Sequence, residues 1–124
     1  MAAKVTCHVR IMVGQGLGMG PGKAAMLKAI QATRSINAAG KEFGMSYRRA
    51  WLLVEEMNRL FASPLVVARR GGKGGGGAEV TALGLRVLDD YERLLRVVTG
   101  SPEFQSLSRL LERRPGARRS LRTD

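Results

Sequence analysis

The sequence predicts a mainly α-helical fold with a small amount of β-structure. Two adjoining helical patterns occupy residues 35–61 and are separated by a glycine. Two short strand-like runs, 65–70 and 78–82, flank a stretch that is almost entirely glycine. A long amphipathic pattern then covers 82–99. Apolar residues at helical spacing predict each helix, and β-branched residues bounded by glycine predict the strands.

The chain begins with alternating apolar and polar residues over 4–13. Period-two alternation is typical of a half-buried strand. One face of this predicted N-terminal strand is formed by Val5, Cys7, Val9, Ile11 and Val13. Cys7 and His8 point to opposite faces, so we expect no shared metal site and no catalytic pair from them.

Residues 14–22 are rich in glycine but lack the spacing of a phosphate-binding loop. Leu17 stands where the first glycine of that motif is required, and Ala24 replaces the hydroxyl residue that follows the lysine. The sequence therefore predicts a flexible connector that ends in a turn at Pro21-Gly22.

Two helices are predicted next. The first covers residues 23–33 and turns Ala24, Leu27 and Ile30 inward, with Met26 as a further candidate. The second begins at Ser35, whose hydroxyl suits an N-cap, and it places Ile36, Ala39 and Phe43 on one face. Gly44 suits the left-handed backbone that ends a helix.

A third helix begins at Ser46, a second N-cap candidate. Its apolar stripe comprises Ala50, Leu53, Val54, Met57, Leu60 and Phe61. The opposite face carries Arg48, Leu52, Glu55 and Arg59, with Arg49 and Trp51 on the flanks. A short helix, a glycine turn and a helix that begins with arginines is typical of a helix-turn-helix, whose second helix enters the DNA major groove. The alternative is a helical hairpin that contacts only protein.

The two strand-like runs follow this helix directly. With a glycine-rich tip between them, they predict a β-wing, and Arg69, Arg70 and Lys73 give that tip a charge suited to phosphates. The alternative is an ordinary solvated hairpin, which also favours glycine and lysine.

Thr81 is the predicted cap of the long helix over 82–99. Its main stripe is Leu88, Tyr91, Leu95 and Val98, flanked by Leu83, Val87 and Leu94. A stripe this wide packs on the body of the same chain or pairs with a second copy, and we expect a dimerisation helix and a homodimer.

Beyond Gly100, a further helix is predicted from Ser101-Pro102 to about Arg114, with Phe104, Leu107, Leu110 and Leu111 at helical spacing. The residues after Pro115 form a basic tail without a pattern. The predicted organisation is therefore a winged helix-turn-helix with its dimerisation helix over 1–99, and a short helix and tail over 100–124.

The charge balance favours a polyanionic partner. The 124 residues include 21 Lys and Arg against 10 Asp and Glu, for a net charge of +11. One cysteine excludes an intrachain disulfide and suits a reducing cytoplasm. The sequence has neither an apolar run of membrane-spanning length nor a signal-peptide core, so we expect a cytoplasmic protein with no membrane partner.

Residues 23–97 resemble the N-terminal DNA-binding domain of the ModE family of molybdate-responsive transcriptional regulators, and more distantly the LysR-type domain. The resemblance is carried by the segments 35–39, 44–51, 54–58, 71–77 and 81–84. It implies a dimeric winged helix-turn-helix that acts on promoters. Family members carry C-terminal oxyanion-binding domains, whereas this sequence ends at Asp124 with a short helix and a basic tail. We therefore expect no molybdate-binding domain in this chain.

The leading hypothesis is a sequence-specific regulator that binds double-stranded DNA. Arg48, with Ser46 and Tyr47, is expected to contact bases and adjacent phosphates, since arginine binds guanine bidentately. Trp51 and Leu52 are candidates for thymine methyls or sugar edges, although Trp51 fits a boundary-core position equally well. The other predicted DNA-binding residues are Ser35, which caps the first helix of the motif, and five basic residues that are expected to contact phosphates: Arg49, Arg59, Arg69, Arg70 and Lys73.

Two other classes of function are alternatives to this one. A nucleoid-type protein that coats DNA without sequence preference also fits the charge, and preference for an operator over random DNA separates the two. An enzyme is not expected, because the one histidine and one cysteine leave no nucleophile–base pair. We expect no catalytic residue, no metal and no cofactor.

Overall fold

The computed structural model describes residues 4–69 and 77–112. Within these ranges the chain forms five helices and four strands. In order they are β1 (Ile11–Val13), β2 (Gly16–Met19), α1 (Pro21–Thr33), α2 (Ile36–Glu42), α3 (Tyr47–Leu60), β3 (Val66–Arg69), β4 (Gly77–Val80), α4 (Ala82–Thr99) and α5 (Pro102–Glu112). β1 pairs with β2 and β3 with β4, both antiparallel. This mainly helical fold with two small sheets is consistent with a winged helix.

The chain divides into two compact units, and the boundary lies inside α4. The larger unit, His8–Arg93, contains both sheets, the first three helices and the first part of α4. The smaller unit joins the residues up to Cys7 with those from Leu94 onwards, and among its described residues α5 is the one complete helix. The predicted domain boundary after residue 99 stays a prediction.

The N-terminal region differs from its prediction. Its side chains alternate between exposed and half-buried from Lys4 to Arg10, as expected, but the strand itself begins only at Ile11. Val13 is 60% exposed, and the chain then folds back into β2 instead of continuing as a connector. Gly14 has φ +61°, a left-handed value that glycine adopts without strain and that permits this tight turn.

The turn predicted at Pro21-Gly22 is also wrong, because Pro21 is the first residue of α1. Proline suits this position, since it has no N–H to leave unpaired and its fixed φ is already helical. The predicted inward face of α1 is confirmed. Met26, Leu27 and Ile30 are completely buried, and Ala24 is nearly so.

The core of the larger unit lies where α1, α2 and α3 meet the second sheet and α4. Its buried side chains include Ile36 and Ala39 of α2, Ala50, Val54 and Met57 of α3, Leu65 and Val66 at the start of β3, Ala78 and Val80 of β4, and Leu88 and Tyr91 of α4. The hydroxyl of Tyr91 donates a hydrogen bond to the carbonyl of Val9 at 2.6 Å. Lys28 of α1 forms an ion pair with Glu92 of α4 at 2.9 Å.

Two predicted core positions were wrong. Phe43 is 45% exposed, because α2 ends at Glu42 and the backbone of Phe43, with ψ 15°, leaves the helical path. Leu60, the last residue of α3, is 39% exposed. Leu53 and Phe61 are half-buried. The buried stripe of α3 is therefore narrower than its sequence pattern.

A lysine of α1 lies in the core. Lys23 is 4% exposed, and its ammonium group donates to the carbonyl of Leu17 in β2 at 2.7 Å. The same group lies 3.1 Å from a carboxylate oxygen of Glu56 in α3. Lys23 therefore joins the first sheet to the third helix.

The α4 helix has its predicted bounds, and Thr81 caps it by accepting a hydrogen bond from the amide of Gly84 at 3.0 Å. In α5, Ser101 caps the first turn as expected. Leu107, Leu110 and Leu111 are 58%, 61% and 65% exposed. The basic tail after Pro115 lies outside the described residues. No helix in the described part of the chain has the length and hydropathy to cross a lipid bilayer.

Candidate nucleic-acid interface

The two capped helices α2 and α3, joined by a short glycine turn, are consistent with a helix-turn-helix. The hydroxyl of Ser35 accepts a hydrogen bond from the amide of Ala38 at 3.0 Å, and that of Ser46 accepts one from the amide of Arg49 at 3.1 Å. Gly44 has φ +70° in the turn between them. Both predicted N-caps and the glycine turn are thus confirmed. The two serines stabilise the first turns of α2 and α3.

Close packing sets how α2 and α3 approach each other. A Cβ atom on Gly40 would lie 2.7 Å from the Cβ of Ala50, a distance that no real pair of Cβ atoms adopts. The amide of Met45 also donates to the carbonyl of Gly40 at 2.9 Å. The absence of a side chain at residue 40 therefore lets α3 lie directly on α2.

One face of α3 is open to solvent. Arg48, Arg49, Leu52, Glu55 and Arg59 are all exposed. Within residues 4–69 and 77–112, the three arginines form no ion pair with an acidic side chain. Their charges are therefore available to an anionic partner.

Tyr47 and Trp51 lie one helical turn apart on another side of α3. Their rings meet edge to face, with centroids 6.1 Å apart and an interplanar angle of 61°. Tyr47 is 60% exposed and Trp51 is half-buried. The indole nitrogen of Trp51 is buried, and no described residue provides an acceptor for its N–H.

Asn58 fixes the second sheet to α3. Its side-chain oxygen accepts hydrogen bonds from the amides of Leu65 at 2.8 Å and Val66 at 3.1 Å. Its side-chain nitrogen donates to the carbonyl of Val66 at 3.0 Å. One amide side chain therefore satisfies three backbone groups at the start of β3.

A backbone contact fixes the other strand. The amide of Ala78 in β4 donates to the carbonyl of Arg34, at the end of α1, at 3.0 Å. Arg34 itself has φ +60°, an uncommon value for a residue other than glycine. A Cβ atom on Gly77 would lie 2.9 Å from the same carbonyl oxygen. The contact therefore depends on glycine at residue 77.

Of the three basic residues predicted for the wing, the structure describes one. Arg69 is described, and its guanidinium lies 2.8 Å from a carboxylate oxygen of Glu79 on the neighbouring strand. Both side chains are about half exposed, at 49% and 48%. Arg70 and Lys73 lie outside the described residues.

A groove of about 540 Å³ lies between the two helices and the second sheet, and we call it the α3–sheet groove. Its helical side includes Ser35, Ile36, Asn37, Tyr47 and Trp51, and its strand side includes Ala68, Arg69 and Ala78. The sequence interpretation missed Asn37 as a site residue. The available signal was an exposed polar side chain in the first turn of the first helix of the motif. Within the described ranges, no group of three His, Cys, Asp or Glu side chains could hold a metal.

The chain is similar in sequence to several known proteins. No family model matches the chain. The chain is 40% identical over 97 residues to the DNA-binding transcriptional dual regulator ModE of Escherichia coli, an alignment that covers 78% of the chain and 36% of that protein. It is 47% identical over 76 residues to the molybdenum-pterin-binding protein MopB of Rhodobacter capsulatus, covering 61% of the chain and 28% of MopB. By sequence, the chain is a relative of the ModE regulators.

A third match covers most of the chain. The molybdenum transport protein ModE of Azotobacter vinelandii is 39% identical over 113 residues, which is 90% of the chain and 40% of that relative. The resemblance to the ModE family found in the sequence is confirmed by these identities. The chain spans between 28% and 40% of the length of these three relatives. The alignments therefore concern only the matched part of each relative and not its full length.

Proposed function

We propose that this chain is a sequence-specific DNA-binding module of a ModE-type transcriptional regulator, with α3 in the major groove. The observation that carries the proposal is the open face of α3, where Arg48, Arg49 and Arg59 are exposed and free of acidic partners in the described part of the chain. The names of the relatives, which include DNA-binding and transcriptional regulation, support the same reading.

Within this face the arginines have different roles. Arg48 lies in the first turn of α3, the part of a recognition helix that reaches base edges, and its guanidinium suits guanine. Arg59 lies in the last turn and serves a phosphate. In this proposal the β3–β4 sheet is the wing and Arg69 contacts the DNA backbone, and Arg70 and Lys73, which lie outside the described residues, also serve phosphates.

The chain acts as a homodimer that matches two half-sites of DNA, with α4 as the dimerisation helix. In support, Leu94 and Val97, which lie within about 60° of each other around α4, are 37% and 70% exposed. The names of several relatives include molybdenum. In a molybdenum response, the part of this chain is to read DNA.

The test is selection of bound sequences from a random duplex pool, followed by titration of the selected duplex and a random duplex of equal length. We expect an enriched palindrome and a preference of about 10³ or more for the selected duplex. Equal affinity for both duplexes would favour the nucleoid-type alternative, which the net charge of +11 also suits.

The division of roles has its own test. Arg48→Ala should reduce discrimination at one base pair by ~1–3 kcal/mol. Arg59→Ala should weaken binding to both duplexes alike. Arg86→Ala is a matched control, because Arg86 is a 78% exposed arginine of α4 that pairs with Asp90. If Arg48→Ala and Arg59→Ala give the same uniform loss, Arg48 does not read bases.

A further inference from the structure

The α3–sheet groove combines an apolar floor with hydrogen-bond donors at its rim. Ile36 and Ala78, which are 4% and 3% exposed, form part of the floor, and the ring of Trp51 lies beside them. Asn37, Tyr47 and Arg69 contribute polar groups. Among the described residues that line the groove, none is acidic. The groove therefore suits a ligand with an apolar body and a negative charge.

The size of the groove fits the same kind of ligand. Its volume is about 540 Å³ and it is open to solvent along one side, so a segment of a longer chain can lie in it without being enclosed. A deoxyribose ring with its phosphate is such a segment, and it repeats along each strand of a duplex. Side chains of Arg, Asn and Tyr are among the usual partners of backbone phosphates.

We propose that the α3–sheet groove binds one sugar–phosphate segment of the DNA strand next to the major groove, with Trp51 and Arg69 donating to the phosphate. The proposal rests on the function proposed above, because it requires α3 to lie against a duplex. It gives Trp51 one role, that of donating its N–H to a backbone phosphate, in place of the predicted contact with thymine methyls or sugar edges and of the boundary-core alternative.

The indole N–H of Trp51 points to this role. An indole nitrogen only donates, so its partner is an acceptor, and a buried donor without one is costly. No described residue supplies that acceptor. In the proposed complex a phosphate oxygen in the groove, which Trp51 lines, supplies this acceptor after the side chains that cover the indole nitrogen move aside.

Arg69 binds the same phosphate by exchanging its present partner, the carboxylate of Glu79, for the phosphate. In the free chain its guanidinium is paired with Glu79 at 2.8 Å, and both side chains are about half exposed. Exposed ion pairs of this kind contribute little to stability. A phosphate that offers two oxygens to the guanidinium fork replaces the carboxylate readily.

The first experiment compares the wild-type chain with Trp51→Phe, which keeps an aromatic ring and removes the N–H. The probes are two fluorescein-labelled duplexes, one selected from a random pool and one of random sequence, titrated by anisotropy at fixed salt. We expect Trp51→Phe to bind both about tenfold more weakly, or about 1.4 kcal/mol, with the base preference unchanged. Unchanged affinity would show Trp51 to be a boundary residue, and loss on the selected duplex alone would show it to be a base reader.

A second experiment locates the phosphate by comparing how the wild-type chain and Trp51→Phe respond to its removal. Single phosphates of the selected duplex are replaced by neutral methylphosphonates, one position at a time. We expect one position per half-site at which Trp51→Phe loses less affinity than the wild-type chain, because the variant has only the Arg69 contact left to lose there. If both proteins respond identically at every position, the proposal is wrong.

The third measurement uses the fluorescence of Trp51, the one tryptophan in the chain. Adding duplex to wild-type protein should shift the Trp51 emission, and Arg48→Ala should give the same shift at saturation. An emission spectrum that does not change on saturation would overturn the proposal. If the wild type binds neither duplex, the proposed function itself has failed; if it binds and only the Trp51 results are negative, the groove proposal alone has failed.

Discussion

Gly40 and Ala50 touch across the α2–α3 pair so closely that a Cβ atom on Gly40 would lie 2.7 Å from that of Ala50. The contact occurs one turn into α3, next to the residues that form its exposed face. The position of that face relative to α2 therefore depends on a missing side chain. This relationship gives the first prediction.

Gly40→Ala should destabilise the fold by ~1–3 kcal/mol, because overpacking outweighs the ~1 kcal/mol that alanine gains over glycine in a helix. Urea unfolding followed by Trp51 fluorescence measures the change. Gly22→Ala is the matched control, since a Cβ atom there would meet nothing within 4 Å and the helix should become slightly more stable. Equal stability of Gly40→Ala and wild type would contradict the close contact.

Asn58→Ala should lower the free energy of unfolding by ~2–3 kcal/mol, because it leaves the two β3 amides and the Val66 carbonyl without their partner. Asn58→Asp retains an acceptor for both amides and replaces the donor by a carboxylate oxygen that faces the Val66 carbonyl, so its cost should be smaller than that of alanine by the two amide bonds less this repulsion. Thermal or urea unfolding of the three proteins tests the order. An aspartate variant as unstable as the alanine variant would show that the donor carries the effect.

Lys23→Met should cost ~1–3 kcal/mol of stability, since methionine fills a similar volume but removes the donor to the carbonyl of Leu17. Glu56→Gln is the comparison. Glu56 is 49% exposed, and solvent screening should keep the loss of its charge below ~1 kcal/mol. Equal losses would mean that the ion pair, and not the bond to the backbone, stabilises this site.

Glu79→Gln should raise the affinity for every duplex severalfold, because it frees Arg69 and removes a negative charge close to the DNA backbone. Arg69→Gln should lower the affinity and reduce the slope of log affinity against log salt by about one. Salt titrations of the three proteins measure both effects. Their unfolding free energies should agree within ~0.5 kcal/mol, as is usual for surface substitutions. A Glu79→Gln variant with wild-type affinity would show that the pair does not restrain Arg69.

Local signals determined how much of this fold could be predicted. Ser35, Ser46 and Thr81 each form the cap expected of their hydroxyls, so the starts of three helices could be predicted within a residue. The first sheet could not, because a glycine-rich run is compatible with a flexible connector and with a hairpin. The φ of +61° at Gly14 decides between them, and it depends on how the two strands pair.

Only part of the candidate site could be predicted from the sequence. The exposed arginines of α3 follow from helical periodicity, which is a local property. The α3–sheet groove joins residues such as Asn37, Trp51 and Ala68, which are distant in sequence and brought together by packing. The ion pair between Arg69 and Glu79 could not be predicted either, because Glu79 is ten residues away and only the pairing of the two strands brings it close.

The hydrogen bond from Ala78 to the Arg34 carbonyl has a mechanical consequence when it is taken with Asn58. Both strands of the second sheet are joined to the helical body, β3 at its first residue through the side chain of Asn58 and β4 near its own first residue through the main chain of Ala78, so the two attachments lie at opposite ends of the sheet. The width of the cleft beside α3 is therefore preset before any nucleic acid arrives. A duplex bound as proposed has to adjust its own shape to that width, so operators made of easily deformed base steps should be favoured even at positions that no side chain touches.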